Sequence, residues 1–143
     1  MFIKFRSFFF KICLVFLSAC QPTSLEDFQL EGACLCRALL KDLRQIECRE
    51  DLVFMEPVLK RKFEKLVDLV IQARTFQQKN PEFEIPTQNI NQILNSSLIE
   101  EIKRIYGIEG GRECIERAQR EAMLKLDSKE KMFEKQQRSV RLK

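Results

Sequence analysis

The chain contains no histidine and no tryptophan, and only one tyrosine. Without histidine, Ser-His-Asp and Cys-His nucleophilic catalysis, His-ligated zinc and a His-based pH switch are excluded. Glycine and proline number four each, too few for an all-β sandwich built on many tight turns. A length of 143 residues fits one small domain and leaves no room for a cofactor domain beside a substrate domain. Charged residues make up 32%, too many for a polytopic membrane protein. Hydrophobic residues make up 45%, too many for a disordered chain.

What is present begins with MFIKFRSFFFKICLVFLSAC. Lys4, Arg6 and Lys11 make the leading segment positive, which favours keeping that end on the cytoplasmic side. Ile12 to Ala19 is then uncharged. This run is too short for a bilayer-spanning helix, which needs about 20 apolar residues, and it suits the apolar core of an export signal. Leu17-Ser18-Ala19-Cys20 resembles the bacterial lipobox, in which a small residue precedes an obligatory cysteine. The resemblance implies that residues 1–19 are removed and that Cys20 is lipidated. Gln21 occupies the position where an aspartate retains enteric lipoproteins at the inner membrane, so by the same resemblance the anchor belongs in the outer membrane, on its periplasmic face. Each buried methylene contributes ~0.8 kcal/mol, and stable anchoring takes more than one acyl chain. The competing reading is an ordinary secretory signal in which Cys20 is incidental. A cytoplasmic chain with an apolar first helix would carry Lys11 in its middle.

Without residues 1–19 the chain keeps 22 basic and 21 acidic side chains, and the net charge falls from +4 to +1. The body has no basic stripe with stacking aromatics, so nucleic acid is not an expected partner. Residues 125–143 are the local exception, with seven basic and three acidic side chains. They read as a solvated helix end, or as a contact for anionic headgroups or an acidic partner.

Hydrophobic periodicity predicts an all-α fold, a small antiparallel bundle of about four helices spanning 25–126. Residues 20–24 form the lipidated tether and 127–143 a charged, partly frayed helical tail. Ser24 and Asp27 approximate a capping pair, and the first helix is expected from Leu25 to Glu50. Its apolar face carries Phe28, Gly32, Leu35, Cys36, Leu39, Leu43 and Ile46. Leu30, Cys34, Lys41, Arg44 and Cys48 lie on or near the opposite one. Pro57 is expected early in the second helix, whose stripe runs through Leu59, Phe63, Leu66, Val70 and Ala73, widened by Val67 and Ile71. A third pattern begins at Thr87, is interrupted at Asn95-Ser96-Ser97 and restarts at the Ser97–Glu100 capping box. Gly107 closes it and Gly110-Gly111 form a joint. The fourth helix carries Ile115, Ala118, Ala122 and Leu126 on one side.

Cys13 leaves with the leader, so Cys34, Cys36, Cys48 and Cys114 remain in a disulfide-permissive compartment. In a continuous first helix, Cys36 and Cys48 are ~18 Å apart. A bridge needs Cα atoms about 4.4–6.8 Å apart. Up-down-up-down order puts Cys48 and Cys114 at one pole, and a Cys48–Cys114 bridge is expected. It would contribute ~4 kcal/mol in the chain-entropy model. Cys48 lies off the apolar face, so this requires the last turn to unwind or the fourth helix to pack on that flank. Cys36 suits a buried thiol. Cys34 faces outward and suits an intermolecular disulfide, hence a disulfide-linked oligomer, or an inert thiol. One Cys-x-Cys without a second paired motif is a weak metal signal, and no metal or cofactor is expected.

These features point to a non-enzymatic helical interaction module on a lipid anchor, with an envelope or secretion-system protein as partner. The architecture is similar to that of pilotins, small helical lipoproteins that carry secretin subunits to the outer membrane. Alternatives are a structural envelope protein cross-linked through Cys34 or Cys36, and a thiol redox protein. Asp27, Glu31 and Glu100-Glu101 read as caps and solvated helix faces rather than catalytic carboxylates.

Overall fold

A computed structural model describes residues 24–82 and 90–141. The leader, Cys20 and the tether up to residue 23 lie outside the described residues. All four elements are helices: α1 (Leu25–Arg44), α2 (Arg49–Lys79), α3 (Ile90–Tyr106) and α4 (Gly111–Arg141). None is long and apolar enough to cross a membrane.

The starting signal of α1 is the expected capping box. Ser24 Oγ accepts from the Asp27 N–H and Asp27 Oδ2 accepts from the Ser24 N–H, both at 3.1 Å. The helix ends six residues earlier than periodicity suggested. Asp51 is the cause, because its carboxylate accepts the Glu47 and Cys48 N–H groups at 3.0 and 3.2 Å and caps a new helix there. The turn this creates still buries Ile46 completely. The anticipated first-helix tail (Arg49–Glu50) therefore opens α2, and Pro57 sits inside α2 rather than near its start. Proline removes the hydrogen bond to the carbonyl four residues back, at Val53. Val53 is 67% exposed, so water can replace it. The polar run Asn95-Ser96-Ser97 does not interrupt α3. α4 continues through the charged segment to Arg141.

The two turns share one geometry. The Ile46 N–H bonds to Leu43 O (3.2 Å), and the Ile108 N–H bonds to Ile105 O (2.9 Å). Helix ends Arg44 and Tyr106, helix starts Arg49 and Gly111, and helix ends Lys79 and Arg141 are each 62 residues apart. The chain thus lays two alike helical hairpins side by side. α1 packs on α2 and α3, and α4 packs on α2 and α3. Consecutive helices alternate in direction, while α2 and α4 run parallel. Ion pairs Glu56–Arg117, Lys60–Glu121, Asp68–Lys125 and Arg74–Glu130 climb both helices together. Ala118 and Ala122, almost fully buried, let those two backbones approach.

Burial is concentrated at the turn pole. Leu39, Leu43, Ile46, Leu52, Leu59, Ile105, Cys114, Ile115 and Ala118 form one cluster there. The Arg104 guanidinium ties the hairpins together at this pole. It donates from Nη1 to Ile46 O and from Nη2 to Leu43 O, both at 2.8 Å, satisfying carbonyls at the end of α1. Its Nε donates to Glu101 at 2.7 Å, and Glu101 also pairs with Arg44. The α3–α4 turn needs Gly110 and Gly111. Gly110 has φ +75°, and a Cβ on Gly111 would stand 2.0 Å from Ile105 O.

Candidate functional site: an apolar groove at the open pole

The core-facing stripe of α2 emerges into an open groove of about 300 Å³. α1 contributes Leu25, Phe28 and Cys36, α2 contributes Leu66, Leu69, Val70 and Ala73, and α3 contributes Leu94. Among the described residues Gln29 and Asn95 are its polar side chains and no charged side chain lines it. Phe28 stacks on Phe76 at a centroid distance of 5.8 Å, closing one end. Val70 has a core-facing register yet is 40% exposed, which marks the groove as unfilled by the described helices. Along α1 the lining runs from Leu25 to Cys36, about 16 Å at the helical rise. That length matches three turns of a partner helix presenting i, i+3 or i+4, i+7 side chains.

The cysteines do not pair. Cys34, Cys36, Cys48 and Cys114 are all free, and no two lie at disulfide distance. This corrects the expected Cys48–Cys114 bridge. Both residues are at the turn pole and the last turn of the first helix has unwound, as that bridge required. But Cys48 is the N-cap of α2 with its side chain exposed, whereas Cys114 is 3% exposed and turned inward. The first turn of α2 stands between them, and the Cys114 thiol donates to Leu52 O at 3.6 Å. Cys36 is half-buried against the groove, and Cys34 faces outward, as their register requires.

None of the three thiols with a shifted pKa is poised as a nucleophile. Burial pushes the Cys114 thiol up to about 11, helped by the Glu56 charge. Burial likewise raises Cys36. At Cys48 the Asp51 backbone N–H pulls downward, but the Glu50 and Asp51 carboxylates outweigh it and the net shift is upward.

A second, smaller cleft of about 130 Å³ at the turn pole holds Glu56, Cys114 and Arg117. Arg117 donates twice to the Glu56 carboxylate, at 2.9 and 2.7 Å, and holds it below the ordinary carboxylate range. This is a bidentate clamp between α2 and α4, with its donors and acceptors already matched. The other carboxylates weighed from sequence are similarly occupied or solvated: Asp27 caps α1, Glu101 is held by Arg104 and Arg44, and Glu31 and Glu100 are exposed. Among the described residues no group of three or more His, Cys, Asp or Glu side chains could hold a metal ion.

Comparison with protein-family models, with curated proteins and with solved structures finds no match to this chain. Its function must be read from its own residues.

The apolar stripes were legible in sequence, but the groove was not. Val70 and Ala73 read as ordinary core. Only the width of the α2 stripe, broader than one neighbouring helix covers, could have signalled an unfilled face.

Proposed function

We propose that this chain is a lipid-anchored envelope protein, held through Cys20 at the periplasmic face of the outer membrane. Its helical bundle is a non-enzymatic docking module of the pilotin-like kind. The groove receives an amphipathic helix of an envelope or secretion-system protein. The observation that carries this reading is the uncharged apolar groove, open at the pole where the chain arrives from residue 20. Leu25, only five residues beyond Cys20, is one of its walls. The upward-shifted thiols and the matched Glu56–Arg117 clamp support docking rather than turnover.

Two measurements test it. Intact mass of the membrane-extracted protein, with and without reductant, should show loss of residues 1–19 and acylation of Cys20. Labelled palmitate should be incorporated by the parent chain and not by Cys20→Ser. For the groove, a photo-cross-linker at Val70 in cells should give one discrete adduct that disappears on Ala73→Glu. The same probe at Arg61, on the exposed outer face of α2, should give none. Equal labelling at both positions would remove the docking role.

A second reading has its own observation. Cys34 is an exposed thiol one helical turn from Leu30, which is 67% exposed on the same face. In an oxidising compartment this patch can cross-link two copies. Dimers on a non-reducing gel that vanish with Cys34→Ser would favour a structural, cross-linked envelope protein.

A further inference from the structure

The start of α1 and the end of α4 both lie against the end of α2, at the open pole. Phe28 of α1 stacks on Phe76 of α2, and two residues before Phe76 Arg74 of α2 pairs with Glu130 of α4 at 2.5 Å. α2 and α4 are each 31 residues long, run parallel and start together at the turn pole, so the end of α4 reaches the open pole beside the end of α2, where α1 starts.

The charge of the α4 end differs from that of the α4 body. Nearer the turn pole, three basic side chains of α4 have acidic partners: Arg112 with Glu116, Arg117 with Glu56 and Lys125 with Asp68. From residue 131 onward, Lys131, Lys135, Arg138, Arg141 and Lys143 face a single acid, Glu134. Lys131, Lys135 and Arg138 are spaced i, i+4, i+7, and all three are exposed. Glu134 pairs with Arg138 at 3.7 Å. The helix dipole accounts for basic residues in a last turn, where they offset the negative end. It does not reach Lys131 and Lys135, ten and six residues before Arg141. Met132, half-exposed beside them, adds an apolar side chain to the cationic face.

We infer that the end of α4 is a second membrane contact, in which Lys131, Lys135 and Arg138 meet the anionic headgroups of the bilayer that holds the Cys20 anchor. The inference takes its orientation from the anchored reading proposed above. Placing two attachments at one pole fixes the direction in which the bundle stands, with the turn pole pointing away from the bilayer. Each basic side chain at an anionic surface adds roughly a factor of five to binding, and the effect fades within a Debye length.

The test is flotation of the full-length, membrane-extracted protein on vesicles of phosphatidylcholine alone and of phosphatidylcholine mixed with phosphatidylglycerol. Trypsin cleavage after Lys131, Lys135 and Arg138 provides the second readout. The expected result is flotation with both vesicles and severalfold slower tail cleavage on the anionic ones, with the protection lost at high salt. Equal cleavage on both vesicles overturns the tail contact, assigns the basic face to solvent or an acidic protein, and leaves the anchor standing. Flotation with anionic vesicles alone, lost in Lys131→Gln/Lys135→Gln/Arg138→Gln, upholds the tail and removes the anchor. Flotation with neither removes both. On unanchored protein the triple variant should bind anionic vesicles about a hundredfold more weakly, three charges at about fivefold each. The same net change made at Lys41, Arg61 and Lys65, exposed on other faces, should leave tail protection unchanged.

Discussion

Replacing Arg104 tests how the two hairpins are joined. Its guanidinium holds the Leu43 carbonyl at the end of α1 and the Ile46 carbonyl in the turn after it, both at 2.8 Å, and one carboxylate at 2.7 Å from a single planar fork. Hydrogen bonds involving a charged group contribute about 1.5–3 kcal/mol each. The Arg104 side chain is 41% exposed, so water recovers a large part of that in the variant. A net cost of about 2–3 kcal/mol is expected for Arg104→Ala. In a domain of this size, that lowers the melting temperature by about 10 °C. Lysine keeps the charge but cannot reach both carbonyls at once, so Arg104→Lys should recover less than half of the loss. Thermal melts and urea titrations followed by far-UV circular dichroism measure both. Arg104→Lys melting with the parent would refute the reasoning, because charge near Glu101 would then suffice and the fork would be irrelevant. An unchanged midpoint for Arg104→Ala would show that the α1–α3 joint rests on Ile46 and Ile105 packing alone.

Other expectations are checked with the same melts or with thiol chemistry. Gly111→Ala forces a Cβ to within 2.0 Å of Ile105 O and should cost about 3 kcal/mol, whereas Gly110→Ala, with open space but a positive φ, should cost about 1–2 kcal/mol. Pro57→Ala should stabilise the fold, by up to about 3 kcal/mol, because an exposed helix-interior proline is replaced by the best helix former. In native buffer a thiol reagent should modify Cys34 and Cys48 quickly, Cys36 slowly and Cys114 only on unfolding. Trapping of a Cys48–Cys114 disulfide in fully folded protein would contradict the observed geometry. The carboxyls of Glu101, beside Arg104, and Glu56, beside Arg117, are held below their ordinary 4.5. A depressed folded value stabilises above the unfolded value and is lost as pH falls through the folded one. Urea midpoints should therefore decline from about pH 4.5 downward, and Glu56→Gln should flatten that decline.

Local signals gave the helices, and tertiary competition set their limits. The Ser24–Asp27 box, the Gly107 stop and the Ile115-Ala118-Ala122 stripe each depend on neighbours within a turn or two. The end of α1 does not. Residues 45–50 continue a helical pattern well enough, and what breaks it is Asp51 capping the Glu47 and Cys48 N–H groups while Ile46 finds the core. Pro57 misled for the related reason that its lost hydrogen bond falls on an exposed carbonyl, where the cost is smallest. The outward register of Cys34 and the inward one of Cys36 followed from spacing alone. The distance between Cys48 and Cys114 depended on how α2 starts, which spacing does not contain. The 62-residue repeat of the two hairpins is a repeat of geometry and is hardly visible in residue identity, with Ile46-Glu47 and Ile108-Glu109 among the few matching positions.

That geometric repeat explains why the packed core and the open groove separate along the molecule. In each hairpin the turn brings two helices to closest approach, and setting both turns at one pole puts nine core residues, Arg104 and the Glu56–Arg117 clamp within reach of one another. α2 and α4 remain paired as they run on, through Arg74 and Glu130, and α1 reaches the far end of α2 through Phe28 and Phe76, which leaves the groove between α1, α2 and α3 open. The α2 stripe therefore keeps its apolar side chains where the bundle no longer covers them. A groove in that position can be filled or emptied without disturbing the cluster that holds the fold. Val70→Asp should accordingly abolish the proposed docking while leaving the melting temperature within a few degrees of the parent, whereas Leu59→Asp, at an apolar position fully buried in the turn-pole cluster, should unfold the protein.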